Sequence, residues 1–237
     1  MAVSTTLQSL KQLSPTLSVG IITADLLSLG SELSLLERTG VKLVHIDVMD
    51  GCFCPMMTVG PPFIKALKTP LLKDVHLMIA DPLEKIADYV AAGADIITFH
   101  PEACTHPHRV LQQMRNMTNA NDPARGLLRG VALNPGTPLA VLEPLLDEVE
   151  VILLLAVNPG WGGQKFIPST FDRIARAKQL IAASGREILL TVDGGVTRAN
   201  IAEVARTGVD IIVTGSAVFD GKAAGENARF MLEAVKL

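Results

Sequence analysis

Eight short apolar runs recur along the chain, each followed by a turn and then by a longer segment with helical spacing. The runs span 18–23 (SVGIIT), 42–47 (KLVHID), 73–79 (KDVHLMI), 95–100 (DIITFH), 129–134 (RGVALN), 149–157 (VEVILLLAV), 187–193 (EILLTVD) and 210–215 (DIIVTG). They are rich in Val, Ile and Leu, and several are apolar on both faces, as parallel strands covered on both sides are. The intervening segments read as helices. Residues 25–39 place Leu26, Leu29, Leu33 and Leu36 at spacings of three and four, with Asp25 at the helix start and Gly40 at its end. Residues 81–92 open on Asp81-Pro82 and stop at Gly93, and 197–207 run from Thr197 to just before Gly208.

Eight strands alternating with eight candidate helices predict a (β/α)8 TIM barrel in a single domain spanning 18–237. An open doubly wound sheet is the second choice, because periodicity does not prove closure. Residues 1–17 form an N-terminal extension in which Leu7, Leu10 and Leu13 suggest a short helix packed outside the barrel. No linker, low-complexity segment or break in composition divides the chain, and 118–127 (TNANDPARGL) is its most loop-like stretch.

At 237 residues and 49% hydrophobic content the chain can bury a sizeable core. A formal net charge of -3 argues against nucleic acid as the main partner. No stretch reaches the roughly 18 apolar residues of a membrane span. The opening MAVSTTLQSLKQLS lacks a basic segment followed by a long apolar core, so no secretory signal is expected. Cys52, Cys54 and Cys104 form no CxxC pair; Cys52 and Cys54 read as small buried loop thiols, with a CxC metal site as the competing reading. The expected location is cytoplasmic and reducing.

The strand ends carry the chemistry. In a barrel, functional residues sit at the C-terminal ends of the strands. The second run ends with His45 and Asp47, which share one face because strand side chains alternate. The third carries His76, and the seventh ends in Asp193 before Gly194-Gly195. If the barrel closes, all four converge on one mouth. An unpaired buried carboxylate is costly, and two imidazoles with two carboxylates suit zinc, manganese, iron(II) or cobalt. Taken singly, each His can equally be a hydrogen-bonded core residue and each Asp a loop cap. His100 ends a strand in a supporting or purely structural role; His106 and His108 read as surface or capping residues; Asp50, before Gly51, belongs to a turn.

Three glycine-rich turns follow late strands: NPGWGG (158–163), DGGV (193–196) and TGS (214–216). Such turns let backbone N–H groups approach an anion, and barrels often hold phosphate after strands seven and eight. The absence of GxxxxGK[ST] argues against a P-loop nucleotide site.

HIDVMDG (45–51), DVHLM (74–78), AGADIITFHPEA (92–103), NPGWGGQ (158–164), VDGGVT (192–197) and TGSAVF (214–219), in that order, give the chain its resemblance to the ribulose-phosphate 3-epimerase family. The resemblance implies one divalent metal ion, zinc first with iron, manganese or cobalt as the other candidates, held by His45, Asp47, His76 and Asp193. It also implies Asp47 and Asp193 as the acid/base pair and a ketose-phosphate substrate contacted by His76, Gly160, Trp161, Gly162, Gly163, Gly194, Gly195, Gly215 and Ser216. A homo-oligomer acting in the pentose phosphate pathway is implied as well. The Lys-dependent orotidine-monophosphate decarboxylase type is disfavoured, because Val48 and Met49 follow Asp47 with no Lys.

Epimerisation beside a ketone removes a proton from one face of C3 and returns one to the other. Asp47 as base and Asp193 as acid, approaching from opposite sides of the mouth, can do this while the metal stabilises an ene-diolate. Met49 and Met78 shield the intermediate or are ordinary core methionines. The chain departs from the family at Gly20, where a Ser is usual, at Met56, at Leu155-Ala156 and at Trp161. These departures leave open another ketose phosphate, such as allulose 6-phosphate, or a phosphosugar-binding homologue without turnover.

Overall fold

The computed structural model describes residues 5–236. Its eight strands are β1 (Thr16–Gly20), β2 (Leu43–Met49), β3 (Leu72–Met78), β4 (Ile96–Phe99), β5 (Leu128–Leu133), β6 (Val151–Leu155), β7 (Leu189–Asp193) and β8 (Ile211–Thr214). Each pairs in parallel with its sequence neighbours, and β1 pairs with β8, closing the barrel. An open doubly wound sheet is thereby excluded. The α-helices are α1 (Thr5–Leu13), α2 (Leu29–Thr39), α3 (Pro61–Ala66), α4 (Ile86–Ala91), α5 (Pro107–Arg115), α6 (Thr170–Ser184), α7 (Ile201–Arg206) and α8 (Ala224–Ala234).

The elements differ from the sequence pattern in several places: residues 81–92 divide into a 3-10 turn at Pro82–Glu84 and α4, and α7 begins at Ile201 rather than Thr197. The first strand lies at Thr16–Gly20 rather than 18–23, and Ile21–Thr23 form a 3-10 turn. An apolar run alone does not mark where extended backbone gives way to a turn. The segment 25–39 splits into a 3-10 turn at Leu26–Ser28 and α2; Asp25 caps the former by accepting from the Leu27 N–H, and Gly40 ends α2 at φ +94°. Leu29, Leu33 and Leu36 are buried and Leu26 is exposed. Between β5 and β6 the connection is a 3-10 helix, Leu139–Leu145, with Pro144 inside it, so one of the eight expected α-helices is absent.

Alternation sorts each strand into two faces. Val44, Ile46 and Val48 of β2 belong to the main apolar layer between barrel and helices, with Leu33, Leu36, Val75 and Leu77. The inward face is layered. Leu43, Ile96, Leu128, Val151, Leu189 and Ile211 make an apolar floor, and Leu7 and Leu10 of α1 pack onto it. The N-terminal helix therefore plugs the barrel bottom rather than flanking its outside. Leu13 is exposed at 42%, because the chain turns there to enter β1. Residues 1–4 of the expected extension lie outside the described residues. Above the floor the interior turns polar, with Ser18, His45, Asp74, His76, Thr98, His100 and Thr191 all buried.

Candidate functional site

The β2–β3 register pairs His45 with Asp74 and Asp47 with His76. Two cross-strand His–Asp pairs thus stack on the inward face, and β7 adds Asp193 from the strand's last position. One ligand atom from each of His45, Asp47, His76 and Asp193 lies within 4.8 Å of the other three. His45 Nε2 is 3.2 Å from Asp47 Oδ1 and 3.7 Å from Asp193 Oδ2; His76 Nδ1 is 3.3 Å and 3.7 Å from the same two atoms. His45 Nε2 is buried with no hydrogen-bond partner. A buried imidazole nitrogen facing two carboxylates, with a second imidazole beside it, is a mixed nitrogen and oxygen set of the kind that a divalent ion of intermediate softness takes, so these residues fit the metal expected at this site. Asp47 and Asp193 come from strands separated by β1 and β8, so they approach from two sides of the mouth without being diametrically opposed.

The two carboxyls are driven apart. Burial by itself raises Asp47, but the His45 and His76 imidazoles outweigh it, and Asp47 ends well below the usual carboxylate range. Burial and then the Asp47 charge push Asp193 up to about 6. Burial also opposes the charge on His45, yet the Asp74 and Asp47 carboxylates win and raise it well above the ordinary imidazole value. One carboxyl ionised beside one readily protonated is the arrangement of a base and an acid sharing a site.

The sequence reading missed Asp74. Its Oδ2 accepts from Ser18 Oγ at 2.8 Å and faces His45 Nδ1 at 2.8 Å, which turns Nε2 toward the site. Asp74 stands two residues before His76, and period two already put it on the same face. His100 is buried with Nε2 2.9 Å from Nε2 of His76, so it supports a ligand candidate. Asp50 does form a turn: Oδ1 accepts from the Cys52 and Phe53 N–H groups and Oδ2 from Ala80. His106 and His108 are exposed at the start of α5. Cys52 is exposed and only Cys54 is buried, and neither joins the His/Asp cluster.

Above the cluster opens a cavity of about 690 Å³. Gly160, Trp161, Gly162, Gly163, Gly194, Gly195, Gly215 and Ser216 all line it, with Asp47, Asp193, Met49 and Met78. His45 and His76 lie fully buried beneath that wall. Two of these glycines are demanded by close packing. Gly195 has φ +67°, and a Cβ there would come within 2.7 Å of the Phe166 Cα; one on Gly215 would stand 2.8 Å from the Gly20 carbonyl. Gly20, Met56 and Leu155 line the cavity, but Ala156 does not. Ala156 is buried, its N–H donating to the Asp193 carbonyl at 2.7 Å.

Residues 16–219 match the model of the ribulose-phosphate 3-epimerase family. The ribulose-phosphate 3-epimerase of Escherichia coli K12 is 44% identical over 206 residues, 84% of this chain and 87% of the relative. That of Bacillus subtilis is 42% identical over 202 residues, 84% and 89% of the two chains. Among solved structures, KGPDC from Streptococcus mutans superposes with a TM-score of 0.67 at 16% identity, over 94% of this chain and 98% of the other, a likeness of fold.

Proposed function

The chain belongs to the ribulose-phosphate 3-epimerase family of isomerases, and on that premise we propose that it inverts C3 of a ketose phosphate, D-ribulose 5-phosphate to D-xylulose 5-phosphate. The observation that supports this most is geometric: Asp47 and Asp193 reach one mouth from β2 and β7 and meet His45 and His76 there, with one ligand atom of each within 4.8 Å of the others. His45, Asp47, His76 and Asp193 would hold one divalent ion, zinc by preference for this mixed nitrogen and oxygen set, with iron, manganese or cobalt as substitutes. Such an ion supplies positive charge that stabilises the negative charge developing on the sugar oxygens.

The proton transfers belong to the two carboxyls. Asp47, ionised, takes the C3 proton from one face; Asp193, protonated, gives one to the other. Afterwards Asp47 holds the proton and Asp193 is ionised, which is the starting state for the reverse direction. Gly194, Gly195, Gly215 and Ser216 at the ends of β7 and β8, with the 160–163 turn, offer backbone to the phosphate. Met49 and Met78 on the cavity wall keep water from the reacting carbon.

Asp47→Asn and Asp193→Asn should each abolish solvent deuterium incorporation at C3 of ribulose 5-phosphate. Exchange at the wild-type rate in both variants would sink the two-carboxyl scheme. A second reading, a longer ketose phosphate such as allulose 6-phosphate, draws on Gly20. Its Cβ position lies on the cavity wall with nothing nearer than the Gly215 Cα at 3.4 Å. Comparing kcat/KM across pentulose and hexulose phosphates separates the two, and tight binding with no exchange on either would mark a binding homologue. The unpaired Cys52, Cys54 and Cys104 suit the reducing cytoplasm.

A further inference from the structure

The outer nitrogens of the two histidines are held in different ways. His45 turns Nδ1 directly onto the Asp74 carboxylate. His76 places Nε2 2.9 Å from Nε2 of His100. His100 Nδ1 is buried without an aligned hydrogen bond and lies 3.4 Å from Oε2 of Glu102.

Two ring nitrogens 2.9 Å apart share one proton, so one of them is a bare acceptor. The pair therefore has two polarities. In the first, His100 donates and neutral His76 carries its own proton on Nδ1, the nitrogen that faces Asp47 and Asp193. That form offers no lone pair to a cation. In the second, His76 donates through Nε2 and leaves Nδ1 bare, while His100 carries its proton on Nδ1. Asp47, with Oδ1 3.3 Å from His76 Nδ1, favours the first form. Glu102 opposes it, because a carboxylate repels a bare Nδ1 on His100 and attracts an N–H there.

Glu102 is itself fixed. It lies in the 3-10 turn Pro101–Ala103 directly after β4. Its Oε1 accepts from the Asn134 N–H at 2.9 Å and from Thr137 Oγ1 at 2.5 Å, leaving Oε2 to face His100. Arg173 of α6 clamps the same loop by donating to the carbonyls of Asn134, Pro135 and Thr137.

We propose that Glu102 is a positioning residue: through His100 it sets the proton polarity of the two-histidine pair so that His76 presents a bare Nδ1 to a divalent cation. This rests on His76 being a ligand, as proposed above. Glu102→Gln keeps the shape, but its amide can either donate to or accept from His100 Nδ1, so the bias is lost. In ¹⁵N-histidine NMR of the wild-type protein, with and without zinc, His100 should be protonated on Nδ1 with a bare Nε2. In Glu102→Gln the two tautomers should mix. Zinc affinity, read by chelator competition, should fall roughly tenfold or more, while the urea midpoint of the metal-free variant stays near wild type. A wild-type His100 protonated on Nε2 overturns the proposal without recourse to any variant. So does unchanged zinc affinity in folded Glu102→Gln, and either result leaves the metal site standing. Failure of the wild-type protein to bind zinc, manganese, cobalt or iron(II) would instead overturn the metal reading, and this role with it.

Discussion

Replacing Asp193 with Asn should make the metal-free protein more stable and inactive at once. Asp193 is 16% exposed, and burial beside ionised Asp47 pushes its carboxyl from 3.8 up to about 6. The folded state therefore holds the Asp193 proton more tightly than the unfolded chain does, so ionisation of this group opposes folding. The cost is absent below about pH 4, grows as pH rises toward 6 and is constant above, and a displacement of this size corresponds to ~3 kcal/mol. Asn stands in for the protonated acid. In EDTA, urea unfolding of Asp193→Asn at pH 7.5 should exceed wild type by up to ~3 kcal/mol, and the two should converge near pH 4. Saturating zinc should reverse the order, because a bound cation stabilises the four-ligand protein more than a site missing one carboxylate. A variant no more stable than wild type at pH 7.5 in EDTA would refute the reasoning, since Asp193 would then not be ionised at a cost.

Two further expectations test the parts around the site. Asp74→Asn removes the carboxylate behind His45 Nδ1 and should weaken zinc binding by about 10–100-fold; chelator competition giving an unchanged constant would contradict its orienting role. Leu10→Ala empties a fully buried position on the barrel floor and should cost about 2–5 kcal/mol in urea unfolding. Its kcat should stay at the wild-type value, and a marked fall would show that the floor and the mouth are coupled.

Much of the site was legible because strand geometry is simple. Period two put His45 and Asp47 on one face, and a polar pair at the end of an apolar run marked them as functional. The glycine turns after β6, β7 and β8 were visible as glycines. Asp74 is legible by the same rule, but it stands near the start of β3 beside Lys73, away from the strand end where function is expected. The pairing of His76, His100 and Glu102 could not be read from the sequence: it depends on β3 lying beside β4 and on the 134–137 loop reaching Glu102. Ala156, a departure that seemed to touch the pocket, in fact holds β6 to β7.

The sequence by itself determined the alternation of strands and helices, the caps at Asp25 and Gly40, the turn at Asp50 and the kind of chemistry the polar strand ends carry. These depend on residue spacing and on local backbone preference, which act over a few residues. Tertiary structure decided that the sheet closes, that α1 plugs the floor, and that four ligand atoms from three strands meet within 4.8 Å. It also decided the opposite fates of Asp47 and Asp193. Identical side chains differ there only because one lies against two imidazoles while the other takes the charge of its neighbour, and those distances exist only once β2, β3 and β7 share one barrel.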